Sequence, residues 1–278
     1  MAEGKRPNSR RNLDMAIDRL AAGTQDPLRL RIALANTIVG QMIPEGAVKG
    51  GSSLKMRYGD GATRFTRDLD TARVSDMEEY ARKLEASLKE GWEGFTGTLV
   101  RREPAKPRGV PGEYVMQPYD IKLSYNEKPW CTVPLEIGHD EIGDAEDPDR
   151  GIAREIVDAF VALGFPEPKP VPLMRIEHQM AQKLHAASGA GSARAHDLVD
   201  LQLIVARESV DYSAVRQVCR RLFAYRRQQT WPPTMLKGDD WDELYLAQSE
   251  GLEVLPTVDD AIEWANDLVN RIEESESS

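Results

Sequence analysis

The sequence predicts an α+β amino-terminal domain, a mixed sheet with flanking helices, joined to an α-helical carboxy-terminal domain. Three observations carry that expectation. Residues 13–43 repeat apolar side chains near the helical period, residues 95–137 break into short Val-, Ile-, Thr- and Tyr-rich runs, and the chain after residue 150 is again helical in pattern.

Residues 1–12, basic from Lys5 to Arg11, lack apolar periodicity and are expected to be a disordered tail. Leu28, Ile32, Ala35, Val39 and Met42 then mark a helical stripe within 13–43, with Asp26-Pro27 as a start signal. Gly46, Gly50 and Gly51 interrupt it. The segment Arg64–Ala72, bounded by Gly59 and Gly61, alternates as a strand. A helix over Asp76–Gly91 leads into β runs at Phe95–Arg101, Glu113–Tyr119, Ile121–Tyr125 and Thr132–Ile137, parted by Pro and Gly. The acidic stretch Asp140–Arg150 holds few apolar groups and is the expected boundary between domains 13–145 and 146–274. Helices are expected beyond it over Ile152–Leu163, Met174–Ala187, Ala193–Glu208, Tyr212–Tyr225 and Val258–Ile272.

Composition narrows the function classes. The 278 residues carry 36 Lys plus Arg against 46 Asp plus Glu, a net charge of −10, which opposes indiscriminate coating of nucleic acid. No run approaches the roughly 18 apolar residues of a membrane span, and no apolar block follows the basic start, so a cytoplasmic protein is expected. Cys131 and Cys219 form no Cys-x-x-Cys motif, so any metal must be held by oxygen or histidine.

The richest stretch is VKGGSSLKMRYGDGATRFTRDLDTAR, residues 48–73. On a strand, Asp68 and Asp70 would project from one face roughly 6.6 Å apart, a spacing that lets two carboxylates share divalent cations. Magnesium prefers oxygen ligands and keeps phosphate oxygens in its shell, so the pair suits a metal-bound nucleoside triphosphate. Gly50-Gly51 lets backbone N–H groups approach a phosphate, and a helix opening at Ser52-Ser53 would aim its positive end there. On a later run Glu136 stands between the apolar Leu135 and Ile137, so it points away from the face they bury and is either solvent-facing or turned toward a site, and Asp120 precedes the β run before it. A solvated strand end and a plain turn are the competing explanations of Asp-x-Asp and Gly-Gly-Ser.

The helical half holds a second constellation. On the helix through residues 174–187, Lys183 falls inside the stripe of Ile176, Met180, Leu184 and Ala187, and Asp197 lies in the apolar face that Leu201 and Ile204 define on the next helix. Charges there either pair with each other or face a cleft with a charged ligand. His196-Asp197, with His178 and Asp211, leaves an HD-type metal phosphohydrolase open. Arginines 216, 220, 221, 226 and 227 beside Phe223, Tyr225 and Trp231, and the run Arg101, Arg102, Lys106 and Arg108, could meet RNA or simply be solvated.

GGSSL followed by RFTRDLD resembles the nucleotidyltransferase signature of the polymerase-β-like superfamily, and more closely that of the AbiEii/AbiGii toxin family with its MenT-type members. The segment IEHQMAQKLHAASGAGSARAHDLVDL is similar to that family's later motifs. The resemblance implies a polymerase-β-like sheet and a Mg2+-dependent nucleotidyltransferase toxin of a type IV toxin–antitoxin system. It implies metal binding by Asp68 and Asp70, a third carboxylate at Glu136 as metal ligand or general base with Asp120 as the rival, nucleotide binding by Gly50, Gly51, Ser52, Ser53, Arg64 and Lys183, and a place in the active site for Asp197, with Asp200 structural. It further implies transfer of NMP from NTP to the 3′ end of tRNA, a block to translation, and a winged-helix antitoxin as partner. An antibiotic nucleotidyltransferase and a non-catalytic nucleotide-binding module are the alternatives.

Overall fold

Alternation of side chains decides which way the sheet faces. Along the strand Gln117–Tyr125, Tyr119, Ile121, Leu123 and Tyr125 are buried while Asp120 and Lys122 point the other way, and along Lys128–His139 Val133, Leu135 and Ile137 repeat the pattern against Thr132 and Glu136. The protein is described by a computed structural model over residues 5–23, 25–104 and 115–276.

The described residues form two compact units, Met1–Met174 and Arg175–Ser278. The first runs α1 (Arg10–Ala21), α2 (Pro27–Gly40), β1 (Ala47–Lys49), α3 (Gly50–Tyr58), β2 (Leu69–Arg73), α4 (Met77–Glu90), β3 (Phe95–Arg101), β4 (Gln117–Tyr125), β5 (Lys128–His139), β6 (Asp149–Gly151), α5 (Arg154–Ala162) and β7 (Val171–Leu173). Its strands make one mixed sheet in the order β3-β4-β5-β2-β1-β7-β6. Strands β2 and β5, and β1 and β7, are parallel, and the other neighbours are antiparallel. Leu13 and Ile17 of α1, Leu34 and Ile38 of α2, Leu84 and Leu88 of α4 and Phe160 of α5 share one core with the apolar sheet face. The opposite face carries the polar residues.

The second unit consists of α6 (Ile176–Ala187), α7 (His196–Arg207), α8 (Tyr212–Arg226), α9 (Trp241–Ser249) and α10 (Val258–Glu274). The protein is thus α+β, a seven-stranded mixed sheet with ten helices among the described residues. No helix there is long and apolar enough to cross a membrane.

Several expectations shift. The stretch 13–43 is two helices, because Ser9 caps α1 and Asp26, accepting from Leu28 N at 2.8 Å with Pro27 beside it, starts α2 afresh. Residues 10–12, grouped with the tail, are helical. Residues 146–174, grouped with the helices by composition, supply β6, α5 and β7 to the first unit, since β7 pairs with β1. Residues 64–68 are irregular, and the strand begins only at Leu69. Part of the run Glu113–Tyr119, with Lys106 and Arg108, lies outside the described residues.

Candidate active site

Strand β2, in the middle of the sheet, brings the acidic residues together. Asp70 stands opposite Glu136 on β5 and opposite Lys49 on β1, so three ionisable side chains share one row on the polar face. Thr71 Oγ1 donates to the Glu136 carbonyl at 3.3 Å, which ties the two strands beneath the carboxylates. Asp68 lies two residues earlier, before the strand begins, and is exposed. Asp120 pairs in register with Pro134, two residues from Glu136, and its carboxylate contacts Lys122 at 3.3 Å and Arg102 at 3.5 Å. Register therefore sets Glu136, not Asp120, beside Asp70.

The two glycines sit directly against this row. Gly50, the first residue of α3, has φ +62°, and a β-carbon on it would lie 2.2 Å from Asp70 Oδ2. At Gly51 a β-carbon would come within 3.0 Å of an Arg64 guanidinium nitrogen and 3.3 Å of Thr66 Cβ. The first turn of α3 is thus bare backbone between a carboxylate and a guanidinium, at the helix end where N–H groups have no helical carbonyl to meet. Ser52 and Ser53 are buried behind it. Ser52 Oγ donates to the Asp68 carbonyl at 2.5 Å, and Asn36 Nδ2 donates to Ser52 Oγ at 3.4 Å.

The irregular segment before Asp68 is held by charge. Lys55 is buried, with Nζ 2.9 Å from Asp60 Oδ1 and 3.1 Å from the Thr66 carbonyl. Burial pulls its pKa below the ordinary lysine value, and the Asp60 carboxylate opposes that pull. Arg29 reaches the same aspartate at 2.7 Å and bonds the carbonyls of Asp60 and Thr63.

The divalent cation implied by two adjacent carboxylates fits this arrangement. The donors are oxygens, and the space against Asp70 is one that any β-carbon at position 50 would fill. Among the described residues no three His, Cys, Asp or Glu side chains gather into a ready-made metal site, so a cation held by aspartate here would take its remaining ligands from phosphate oxygens and water.

A second acidic pair follows β5. Asp140 accepts from the N–H groups of Gly143 and Ala145 at 3.0 and 2.9 Å. Asp144 is buried, and its carboxyl is pushed up to about 7 by that burial first and by its hydrogen bond to Asp140, against the pull of Lys49. Burial acts to raise Asp140 too, but the hydrogen bonds from Asp144 and the backbone outweigh it and hold it below the ordinary value.

In the second unit, Lys183 is buried with Nζ 3.0 Å from Asp197 Oδ1 and 2.5 Å from Asp200 Oδ2. Arg194 Nε meets the other Asp197 oxygen at 2.8 Å. Burial alone would raise Asp197, yet the charges of Lys183, Arg194 and His196 hold its carboxyl well below the usual range. The interhelical pair that the apolar stripes suggested is present, and Asp200 is its second acid. In the same unit Arg220, Phe223, Arg227 and Trp231 line a groove of about 530 Å³, and two of these side chains, Arg220 and Trp231 through Nε1, bind Glu273. Asp211, considered for an HD-type site, caps α8 by accepting from Ser213 N and Ala214 N.

Lys49 and the double contact of Lys183 escaped the sequence reading. Lys49 belongs to a three-residue strand, too short for any period to flag it. Asp197 and Asp200 were readable, because residues three apart share a helix face.

Comparison with known proteins gives three matches of different kinds. The family model for the nucleotidyl transferase AbiEii toxin of type IV toxin–antitoxin systems matches residues 34–267. MenT4, a nucleotidyltransferase toxin from Mycobacterium tuberculosis, is similar in structure over 95% of this chain and 99% of its own, with 18% identity and a TM-score of 0.52. JHP933 from Helicobacter pylori aligns over 89% of this chain and 91% of its own, at 13% identity and a TM-score of 0.44. No curated protein matches the sequence. At that identity the likeness to MenT4 speaks for the fold.

Proposed function

The chain belongs to the AbiEii nucleotidyl transferase toxin family of type IV toxin–antitoxin systems, and from that premise we propose that it transfers a nucleoside monophosphate from a triphosphate to the 3′ end of tRNA. Translation is blocked as a result, in the cytoplasm, and a cognate winged-helix antitoxin restrains the activity. The observation that carries the reading is the Asp70–Glu136 row set against Gly50, where backbone N–H groups and carboxylates face one space that no other residue type at position 50 would leave open.

Asp68 and Asp70 hold Mg2+ in this reading. Bound there, magnesium supplies positive charge to the transferring phosphate and acidifies the acceptor hydroxyl. The first turn of α3, Gly50 to Ser53, positions the phosphates with its N–H groups, and Arg64 adds a guanidinium beside Gly51. Ser52 keeps the Asp68 backbone in place through its hydroxyl. Glu136 takes the proton of the attacking hydroxyl or completes the oxygen set. Lys183 is the second phosphate-binding cation, with Asp197 and Asp200 as the carboxylates that hold its Nζ in position.

Purified protein incubated with labelled triphosphates, magnesium and total RNA should label tRNA at its 3′ end. Labelling that persists undiminished in an Asp68→Ala, Asp70→Ala double variant refutes the metal assignment. Labelling of an aminoglycoside in place of RNA would move the reading to antibiotic modification.

A further inference from the structure

Lys49 is half-buried, and its ammonium makes no hydrogen bond or ion pair among the described residues. The titrating groups it acts on, His139 and Asp144, feel it only through space. Leaving a cation partly desolvated without a partner is unfavourable unless a ligand supplies the opposite charge. Its location says where that charge belongs. Lys49 is opposed in register to Asp70 on the antiparallel neighbour β2, so their α-carbons lie about 4.5–5.5 Å apart and their side chains leave the same face. It immediately precedes Gly50 and Gly51. Its stem runs across the sheet toward β5, where a β-carbon on Gly138 would come 3.0 Å from Nζ. Ala47, Ala72 and Gly138, all short, occupy the row next to the acidic one, and Ala145 from the Asp140–Asp144 turn packs with Ala47 and Ala72. The lysine therefore has a track of small residues to lie along and a wall at its end.

We infer that Lys49 is a substrate-contacting residue of the transfer site, whose ammonium receives phosphate charge of the bound nucleoside triphosphate alongside Asp70. This deepens the nucleotidyl-transfer reading and rests on it. A nucleotide stripped of its phosphates gains nothing from such a group.

The test uses the full chain, with no acceptor present, so that binding is read without turnover. Each of the four ribonucleoside triphosphates, with magnesium, and the matching nucleosides are titrated by calorimetry into the unaltered protein, Lys49→Gln and Lys49→Arg. Expected is at least a tenfold weakening of triphosphate binding in Lys49→Gln, nucleoside binding unchanged, and recovery of most of the loss in Lys49→Arg. Triphosphate binding by Lys49→Gln equal to that of the unaltered protein overturns the inference. Should Lys49→Gln fail to fold, Gly138→Ala decides, because it keeps the charge and displaces only the tip of a flexible side chain. Weaker triphosphate binding at an unchanged melting temperature supports the inference, and unchanged binding overturns it. A chain that binds triphosphates through Lys49 yet labels no acceptor leaves this inference standing while the transfer reading falls. A chain that binds none of the four sinks both.

Discussion

Asp70 and Glu136 are direct partners across the parallel strands β2 and β5, with Thr71 Oγ1 bonded to the Glu136 carbonyl one residue along. Neighbouring strands lie about 4.8 Å apart, so the two acidic residues rise from adjacent backbone positions on one face, and their carboxylates repel when both are ionised. A positive charge between the two acids relieves that repulsion, and Lys49, in register with Asp70 on the other side, adds one to the same row.

Asp70→Asn or Glu136→Gln should each lower turnover by about 10²–10⁴-fold, with the melting temperature unchanged or raised, because each removes one of two adjacent like charges. A fall in melting temperature that accounts for the lost activity would make these residues structural. Labelling rate and thermal unfolding, measured on the same preparations, separate the two.

Gly50→Ala should destabilise the protein by about 1–3 kcal/mol. The cause is double: a positive φ of +62° that alanine tolerates poorly, and a β-carbon 2.2 Å from Asp70 Oδ2. Urea titration gives the free energy, and triphosphate affinity should fall with it, since Asp70 has to move.

Lys183→Met removes the ammonium that buried Asp197 and Asp200 share, leaving Arg194 on Asp197, and should cost about 3–5 kcal/mol. Replacing both aspartates by asparagine in the same chain should restore part of that loss. For Asp197 the folded pKa lies below its ordinary value of 3.8, so its contribution is complete above that pH and is lost as acid carries the folded group through its own lower value. Acid titration of the melting temperature should show a shallower decline from pH 4 downward in an Asp197→Asn variant.

Asp144 gives the opposite slope. Its carboxyl is raised from 3.8 to about 7 in the folded state, so between those values the folded protein binds more protons than the unfolded chain, and stability falls as pH rises. Asp144→Asn should flatten the stability curve between about pH 4 and about pH 7. A variant curve parallel to the unaltered one would show that the carboxyl is ionised throughout.

The fold was legible where periodicity ran long enough. The alternation of Tyr119, Ile121 and Leu123 against Asp120 and Lys122, and the stripes of α2 and α8, needed no tertiary information. Three-residue strands carry no period, so β1, β6 and β7 were invisible, and with them Lys49 and the return of residues 171–173 to the first unit. Gly50-Gly51 and Asp68-Leu69-Asp70 stood out because they are contiguous. The strand assigned to Arg64–Ala72 began five residues too early: Arg64, Phe65 and Thr66 serve a loop pinned by Lys55, Asp60 and Arg29, whose partners are set by tertiary packing. Glu136 was readable as a polar gap between two apolar neighbours, but its pairing with Asp70 required the register of a parallel crossover, which sequence does not state.

Strand β2 is the fourth of seven in the sheet order, flanked by three strands on either side. Local opening starts at rims, and here the rims are β3 and β6. Breathing of either outermost strand leaves Asp70 hydrogen-bonded between β1 and β5. Amides of β2 should consequently exchange with deuterium only through the largest opening of the first unit, and partial denaturant should loosen β6 well before it disturbs the carboxylates. The chemistry sits on the last part of the sheet to come apart.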